Sequence, residues 1–481
     1  MNFPTKMYIA GELTDGEGEV EVFNPANDRM VARVATAGMQ DAQRALDAAS
    51  DAAPSWGRTS IAQRQMWMRK LRDAVIANEE HLRLCMHHEM GKPWGSTEED
   101  FNSLKDSLEF YADEIARISD MSIADRHGTH SHRLVHEPTG VALAFIAWNF
   151  PLLNLAFKIG PAMAAGCPII IRPSEQTPIS AYAVGALCHQ IGLPPGVVQI
   201  LCTSDYDVAD HLSASAVPAL ITLIGSTRTG THIMRTGATT IKRYSMELGG
   251  NAPVLIFPDA DLDVAADIVC GVKFSNAGQI CVSPNRVFVH RDVLAAFTAK
   301  AVQRARDTSV GWDRDKAVTT GPVIDARAWT RIKSLIDKAI DEGATLLAGG
   351  DRPAGLTEGH FIAPTVLADV TETMDVYRQE TFGPIVSIIP FDDDTDLNRM
   401  ANDCEDGGLT AYVFTRDMSL AESWAGKLRY GEIQINGVRY DINLPHGGIG
   451  QSGIGHDCST LALQDYLVTK RITRALEART E

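Results

Sequence analysis

Between Gly140 and Leu248, short β-rich runs alternate with helical segments, and this alternation restricts the fold more than any other feature of the chain. Val141–Trp148 precedes a helix over 152–165, Pro168–Pro173 one over 178–190, Val197–Thr203 one over 207–214 and Ala219–Gly225 one over 227–235; Thr239–Leu248 closes the series. Strands joined by helices pair in parallel, are covered on both faces and place ligands at their carboxyl ends. The expected fold is therefore α/β, with a doubly wound parallel sheet of the kind that binds nucleotides. A chain of 481 residues exceeds a single core. A second α/β lobe is expected after Asn251, with strands near Val254–Phe257, Arg286–His290, Val386–Pro390 and Ala411–Thr415, and helices over 293–307, 328–342 and 395–402.

The first 120 residues read as mostly helical, with segments over Met39–Ala53, Ser60–Asn78 and Ser96–Ile118. In the third, Leu104, Leu108, Tyr111, Ala112 and Ile115 form a stripe that reads as core. Residues 131–138 turn extended, and Leu346–Gly359, rich in glycine, reads as a surface loop. The terminal run Leu467–Thr473 reads as an exposed strand that needs a partner, either the 131–138 extension or another subunit.

A net charge of -17 argues against nucleic acid or an anionic membrane as the main partner. No apolar run reaches the length of a membrane span. The eight cysteines include no CxxC pair and the first residues lack the apolar core of a signal peptide, so a reduced, cytoplasmic compartment is expected. His127, His130, His132 and His136 lie close together, but no cysteine or carboxylate set accompanies them and alternate strand residues face opposite sides. No metal site is expected.

Two groups stand out chemically. Glu247 ends an apolar strand, and Cys281 follows the turn Asn276-Ala277-Gly278-Gln279, 34 residues downstream. A thiol and a carboxylate on separate elements are the ingredients of a nucleophile and a base. By composition alone Cys281 reads equally as a small core residue, and Glu247 as a solvated rim charge. No GxGxxG follows the first strand of the series; Gly225-Ser226-Thr227-Arg228-Thr229-Gly230 offers instead a small-residue turn into a helix N-terminus, suited to a phosphate but common without one.

With these pieces in place the chain resembles the aldehyde dehydrogenase superfamily, in its non-phosphorylating, NAD(P)-dependent, semialdehyde or hydroxyaldehyde-type branch, over nearly its full length. The resemblance rests on Trp148-Asn149-Phe150-Pro151, Pro173-Ser174-Glu175-Gln176-Thr177-Pro178, Gly225-Ser226-Thr227, Glu247-Leu248-Gly249-Gly250, Gly278-Gln279-Ile280-Cys281, Glu380-Thr381-Phe382-Gly383-Pro384, and Pro445-His446-Gly447-Gly448 followed by Ser452-Gly453, in family order. It implies a dinucleotide-binding domain over 1–118 and 139–249, a catalytic domain over 250–448, and a small β oligomerisation arm over 119–138 and 460–481, in a homodimer or homotetramer. It implies Cys281 as the nucleophile, Glu247 as the base that activates water against the thioester, and Asn149 as an oxyanion donor beside the Cys281 backbone N–H. Asn149 read without the resemblance suits equally a cap for the helix that begins near Pro151. Relatives that pass the acyl group to coenzyme A lack the glutamate, so a free carboxylic acid is the expected product. For the cofactor, the resemblance implies Trp148, Gly225 and Ser226 near the pyrophosphate, Ser174 and Glu175 near the adenosine ribose, Glu380 on the nicotinamide ribose and Phe382 beside its ring. Lys158 matches a family position with no assigned role.

Two departures from the family pattern matter. Arg172 replaces the usual lysine; Glu175 should favour NAD by repelling a 2'-phosphate, and Arg172 partly offsets that, which leaves NADP open. Where relatives that act on apolar aldehydes carry Met, Trp and Phe, the matching positions are Asn154, Phe157 and His446, with Ser103 and Arg439 nearby. A polar lining selects polar substrates, so a small hydroxylated or anionic aldehyde is expected, with Arg439 as anion partner or, alternatively, as a plain loop residue. Two other readings are a cysteine thioester hydrolase, which leaves the nucleotide-type sheet unexplained, and a non-catalytic binding or structural protein on the same fold, against which Cys281, Glu247 and Asn149 together speak.

Overall fold

The computed structural model describes residues 2–314, 317–403 and 407–476. The series after Gly140 forms the centre of an eight-stranded sheet. Its spatial order is Gly453–Ile454, Arg243–Glu247, Pro218–Ile224, Val141–Ile146, Ile169–Pro173, Val198–Ile200, Met7–Ile9 and Glu12–Thr14. The five strands between 141 and 247 run parallel, and the remaining strands join at the edges through antiparallel pairs. Every residue of Val141–Ile146 is buried, as a strand covered on both faces requires. One continuous core joins this sheet to the N-terminal helices through Leu46, Leu71, Leu104 and Tyr111. The stripe on the helix Thr97–Glu114 is indeed core, packed on the helix Pro151–Ala165.

A second sheet takes the order Thr345–Ala348, Thr365–Ala368, Ile385–Phe391, Pro284–His290, Ala252–Ile256, Thr410–Phe414 and Glu432–Ile435, parallel except at its first pair. Separate cores cover its two faces, one built around Ile332, Ile336 and Trp424, the other around Val269, Phe297 and Ala301. The antiparallel third sheet pairs Leu467–Ala475 with His130–Pro138, and that strand with Met121–Ile123. The terminal strand thus finds its partner within the chain, along its whole length. Met121, Ile123 and Ile472 remain exposed on this arm. His132 bonds Thr473 and Asp125 there and stacks on His130.

The N-terminal reading requires correction. Before the first helix stand four strands, Met7–Ile9, Glu12–Thr14, Gly18–Asn24 and Arg29–Thr36, in two antiparallel pairs. They are short, and Glu19 and Glu21 alternate with Val20 and Val22, so the period-two pattern is confined to one half-buried hairpin. The presumed loop begins inside an edge strand, Thr345–Ala348. The helices Glu79–Glu89, Leu262–Phe274 and Met418–Lys427 also escaped the sequence reading. No helix among the described residues is long and apolar enough to cross a membrane, and the seven cysteines described are free.

Candidate active site

The carboxyl ends of the first sheet's parallel strands and the amino ends of the second sheet's meet at a cleft of about 570 Å³, lined by Asn149, Phe157, Glu247, Cys281, Glu432 and His446 and, toward its mouth, by Glu99, Ser103, Asp106, Arg439 and Asp441. Glu247 is the last residue of its strand and is buried. Its Oε1 lies 3.3 Å from His446 Nε2, within ion-pair reach. Cys281 follows a turn in which Asn276, Ala277 and Gly278 all take left-handed φ values of 48°, 53° and 72°. Two of the three are not glycine, a conformation that persists only where the surroundings enforce it. The enforcing bonds are visible: Asn276 Nδ2 donates to the Asn149 carbonyl at 3.0 Å, and Gln279, fully buried, donates to the Asn276 carbonyl at 2.9 Å while its Oε1 accepts from Ile324 N at 2.9 Å.

Asn149 Nδ2 donates to the Gln279 carbonyl at 3.0 Å, and its Oδ1 accepts from Asn154 Nδ2 at 3.1 Å. The helix that follows is capped at Phe150 with no side-chain bond, so Asn149 is not its cap. Asn154 lines the cleft, but its amide is committed to Asn149 and to the Ala147 carbonyl. Its Nδ2 thus orients Asn149 while the residue keeps its place in the lining. Ser103 Oγ likewise bonds back to the Glu99 carbonyl of its own helix. Arg439 is largely exposed at the mouth and already paired with Asp441 at 2.7 Å.

His446 departs furthest from expectation. It lines the cleft, and it also lies with Nε2 4.0 Å from Cys281 Sγ and Nδ1 2.6 Å from Glu432 Oε1. Ligand atoms of Glu247, Cys281 and His446 all fall within 4.8 Å of one another. Burial, then the Glu247 charge, pushes the Cys281 thiol upward, and His446 opposes both. Burial alone would lower His446; its bonds to Cys281, Glu247 and Glu432 outweigh this and hold the ring charged well above the usual histidine range. Glu432 was not singled out from the sequence. In Glu432-Ile433-Gln434-Ile435 it reads as the solvent face of an edge strand, and only the return of the chain at His446 makes it part of the site. Lys158 is buried and bonds Asp457 at 2.6 Å, a pairing across almost 300 residues that no local pattern announces.

On the opposite side of the cleft, Trp148 meets Phe382 edge-on at 5.6 Å. Glu380 Oε1 accepts from Gly250 N at 3.3 Å, and a Cβ at Gly249 would fall 2.7 Å from its other oxygen. Burial raises Glu380 to about 8 against the pull of Gly250 N and Lys273, and burial lowers Lys273 to about 7. Ser226 caps its helix through Thr229 N, and a Cβ at Gly225 would crowd Leu223 at 3.2 Å. Ser174 is buried and accepts from Gln176 N. Arg172 is paired with Glu175 at 2.9 Å, while its Nε is buried without a partner.

A sequence model of the Aldehyde dehydrogenase family matches residues 13–472. Glutarate-semialdehyde dehydrogenase of Pseudomonas putida is 35% identical over 471 residues, covering 97% of either chain. The NADP(+) succinate-semialdehyde dehydrogenase of Escherichia coli is 35% identical over 471 residues, again 97% of each. A crystal structure of betaine aldehyde dehydrogenase from Staphylococcus aureus in complex with NAD+ superposes with a TM-score of 0.95 at 30% identity, covering 99% of this chain and 96% of that one. An α/β architecture with a nucleophile-bearing cleft between two parallel sheets defines the class, and this chain belongs to the aldehyde dehydrogenase family as an enzyme of that family.

Proposed function

We propose that the protein oxidises a small polar aldehyde to its carboxylic acid with NAD or NADP. The observation that carries this is the gathering of Cys281, Glu247 and Asn149 at one cleft, with Glu247 buried at the end of its strand. Cys281 adds to the carbonyl carbon, and the oxyanion so formed is met by Asn149 Nδ2, whose second hydrogen is free, and by the Cys281 backbone N–H. The residues opposite fit a dinucleotide: Trp148, Gly225 and Ser226 beside the phosphates, Arg172, Ser174 and Glu175 at the adenosine ribose, Glu380 and Phe382 at the nicotinamide end. The glycine cradle at Gly249 and the unpartnered Arg172 Nε support that fit. A nicotinamide held there by Glu380 and Phe382 would supply the hydride acceptor. Glu247 then takes a proton from water as that water attacks the Cys281 thioester, releasing the acid.

The segments 1–118 and 139–249 serve cofactor binding, 250–448 catalysis, and 119–138 with 460–481 joins subunits into a dimer or dimer of dimers, a role supported by the exposed Met121, Ile123 and Ile472. The free cysteines support a cytoplasmic setting. The semialdehyde-oxidising relatives support an anionic tail held by Arg439. A second reading, a cationic tail, is favoured by the lining itself, where Glu99, Asp106 and Asp441 surround the mouth and Arg439 is already neutralised by Asp441. The test follows NAD(P)H absorbance for wild type and Cys281→Ala with succinic semialdehyde, glycolaldehyde, 4-aminobutanal and hexanal. Cysteine-dependent turnover of any polar member above hexanal supports the function; the preferred tail charge decides between the readings. Preference for hexanal, or turnover without Cys281, refutes it.

A further inference from the structure

His446 receives more structural support than a lining residue requires. Its Nδ1 lies 2.6 Å from Glu432 Oε1, and the second Glu432 oxygen accepts from the buried Thr410 hydroxyl at 2.9 Å, so the carboxylate is fixed from two sides. The His446 backbone is held by paired bonds to Asp457, N to O at 2.8 Å and O to N at 2.6 Å. Phe157 and Tyr440 flank the ring at 6.2 and 6.1 Å. Filling this space would take only an aromatic ring; two carboxylates on opposite ring nitrogens serve a charge.

We propose that His446 is a catalytic residue, an imidazolium held between Glu432 and Glu247 that acts as counter-ion to the Cys281 thiolate, with Glu432 as the positioning residue that aims it and maintains its charge. The proposal rests on the reading of Cys281 as nucleophile and adds how that thiol is made reactive. A half-buried thiol beside a carboxylate resists ionisation, and His446 is the neighbour that counters both effects. In the activating step the Cys281 S–H bond breaks and its proton forms an O–H bond on Glu247. The imidazolium keeps both its protons and faces the new thiolate at Nε2, so the net charge of the cluster is unchanged. The ring is faced by Glu432 from the edge strand, Glu247 from the first sheet, and Cys281 and Cys458 from loops. Asp457 with its partner Lys158, and the hydroxyls of Tyr412 and Tyr440, complete its surroundings. Two acidic neighbours in direct contact keep the ring protonated at neutral pH. Thiol activation is thereby built into the protein before any cofactor arrives.

The test is the pH profile of Cys281 alkylation by iodoacetamide in the cofactor-free enzyme, read by peptide mass spectrometry, for wild type, His446→Gln, Glu432→Gln and Glu247→Gln. His446→Gln is expected to move the midpoint upward by at least about one pH unit, a roughly tenfold lower rate at pH 8, with the wild-type plateau regained at high pH. Glu432→Gln is expected to move it the same way by less, and provides the test if His446→Gln does not fold. Glu247→Gln is expected to move it downward, since a carboxylate beside the thiol is removed. An unmoved midpoint in His446→Gln and Glu432→Gln overturns the proposal, as does a lowered plateau at an unmoved midpoint, which marks a purely structural role. The readout needs neither aldehyde nor cofactor, so failure of aldehyde oxidation is scored separately by NAD(P)H formation.

Discussion

Gly278→Ala tests how far the nucleophile depends on its turn. Gly278 has φ +72°, and a Cβ there would lie 2.2 Å from the Gly383 carbonyl oxygen and 2.9 Å from that of Lys273. Both obstacles are backbone and neither can rotate away. Placing an L-residue in the left-handed region costs about 1–2 kcal/mol, and forcing a methyl into a filled site about 1–3 kcal/mol, so a destabilisation of about 2–5 kcal/mol is expected. The alternative is for the turn to move, and Cys281 stands three residues further along the same loop. A displacement on the order of 1 Å at a reacting atom costs about a hundredfold in rate. The expected result is a lowered urea midpoint at unchanged slope, together with NAD(P)H formation down by about two orders of magnitude. Wild-type midpoint and turnover together would refute the role assigned to this turn.

Further perturbations separate the remaining roles. Glu247→Gln should give a burst of NAD(P)H, the thiol proton now being lost to solvent, followed by turnover slower by about 10²–10⁴-fold, because the thioester forms but water is no longer deprotonated; unchanged steady-state turnover counts against the base. Asn154→Leu removes the bond that orients Asn149 and should lower kcat about tenfold with little change in KM, read by steady-state kinetics. Lys158→Met leaves the buried Asp457 carboxylate without its partner and should cost about 3–5 kcal/mol in urea unfolding. Glu380 has a folded pKa raised to about 8 from 4.5, so the native state binds the extra proton between those values. Stability should therefore fall as pH rises from about 4.5 to about 8, and Glu380→Gln should flatten that slope in unfolding curves measured across the range.

The parallel sheets were legible because strands buried on both faces must be continuously apolar and their crossovers helical, as in Val141–Ile146 and the helix after it. Glu247 and Cys281 stood out for a related reason, a charge at the end of such a strand and a thiol after a glycine turn, but their expected roles came from the family resemblance. What the sequence concealed was long-range. Glu432 occupies the polar phase of an edge strand, where a carboxylate needs no explanation until His446 returns across the cleft to meet it. The commitment of Asn154 to Asn149 is equally invisible, since five residues along a helix entry give no sign of which way either amide turns. The N-terminal strands were missed because hairpins of three to eight residues carry little periodicity of their own.

The charge balance of the cleft sets a condition on the order in which these groups act. Glu247, Glu432 and the Cys281 thiolate are three anionic centres around one imidazolium, and together they would carry an excess of two negative charges in a buried volume. Taking the Cys281 proton onto Glu247 leaves two anions and one cation, the same total as before ionisation. Glu247 is then protonated and unable to serve as a base until its proton leaves. In the proposed reaction the carbonyl addition discharges the thiolate into a neutral sulfur, and the developing oxyanion is met by Asn149. Only after that charge has moved away from Glu247 does a negative carboxylate there again cost little. One glutamate can therefore serve first the thiol and later the water, provided the two ionisations are never simultaneous, and His446 is the fixed charge that makes each of them affordable in turn.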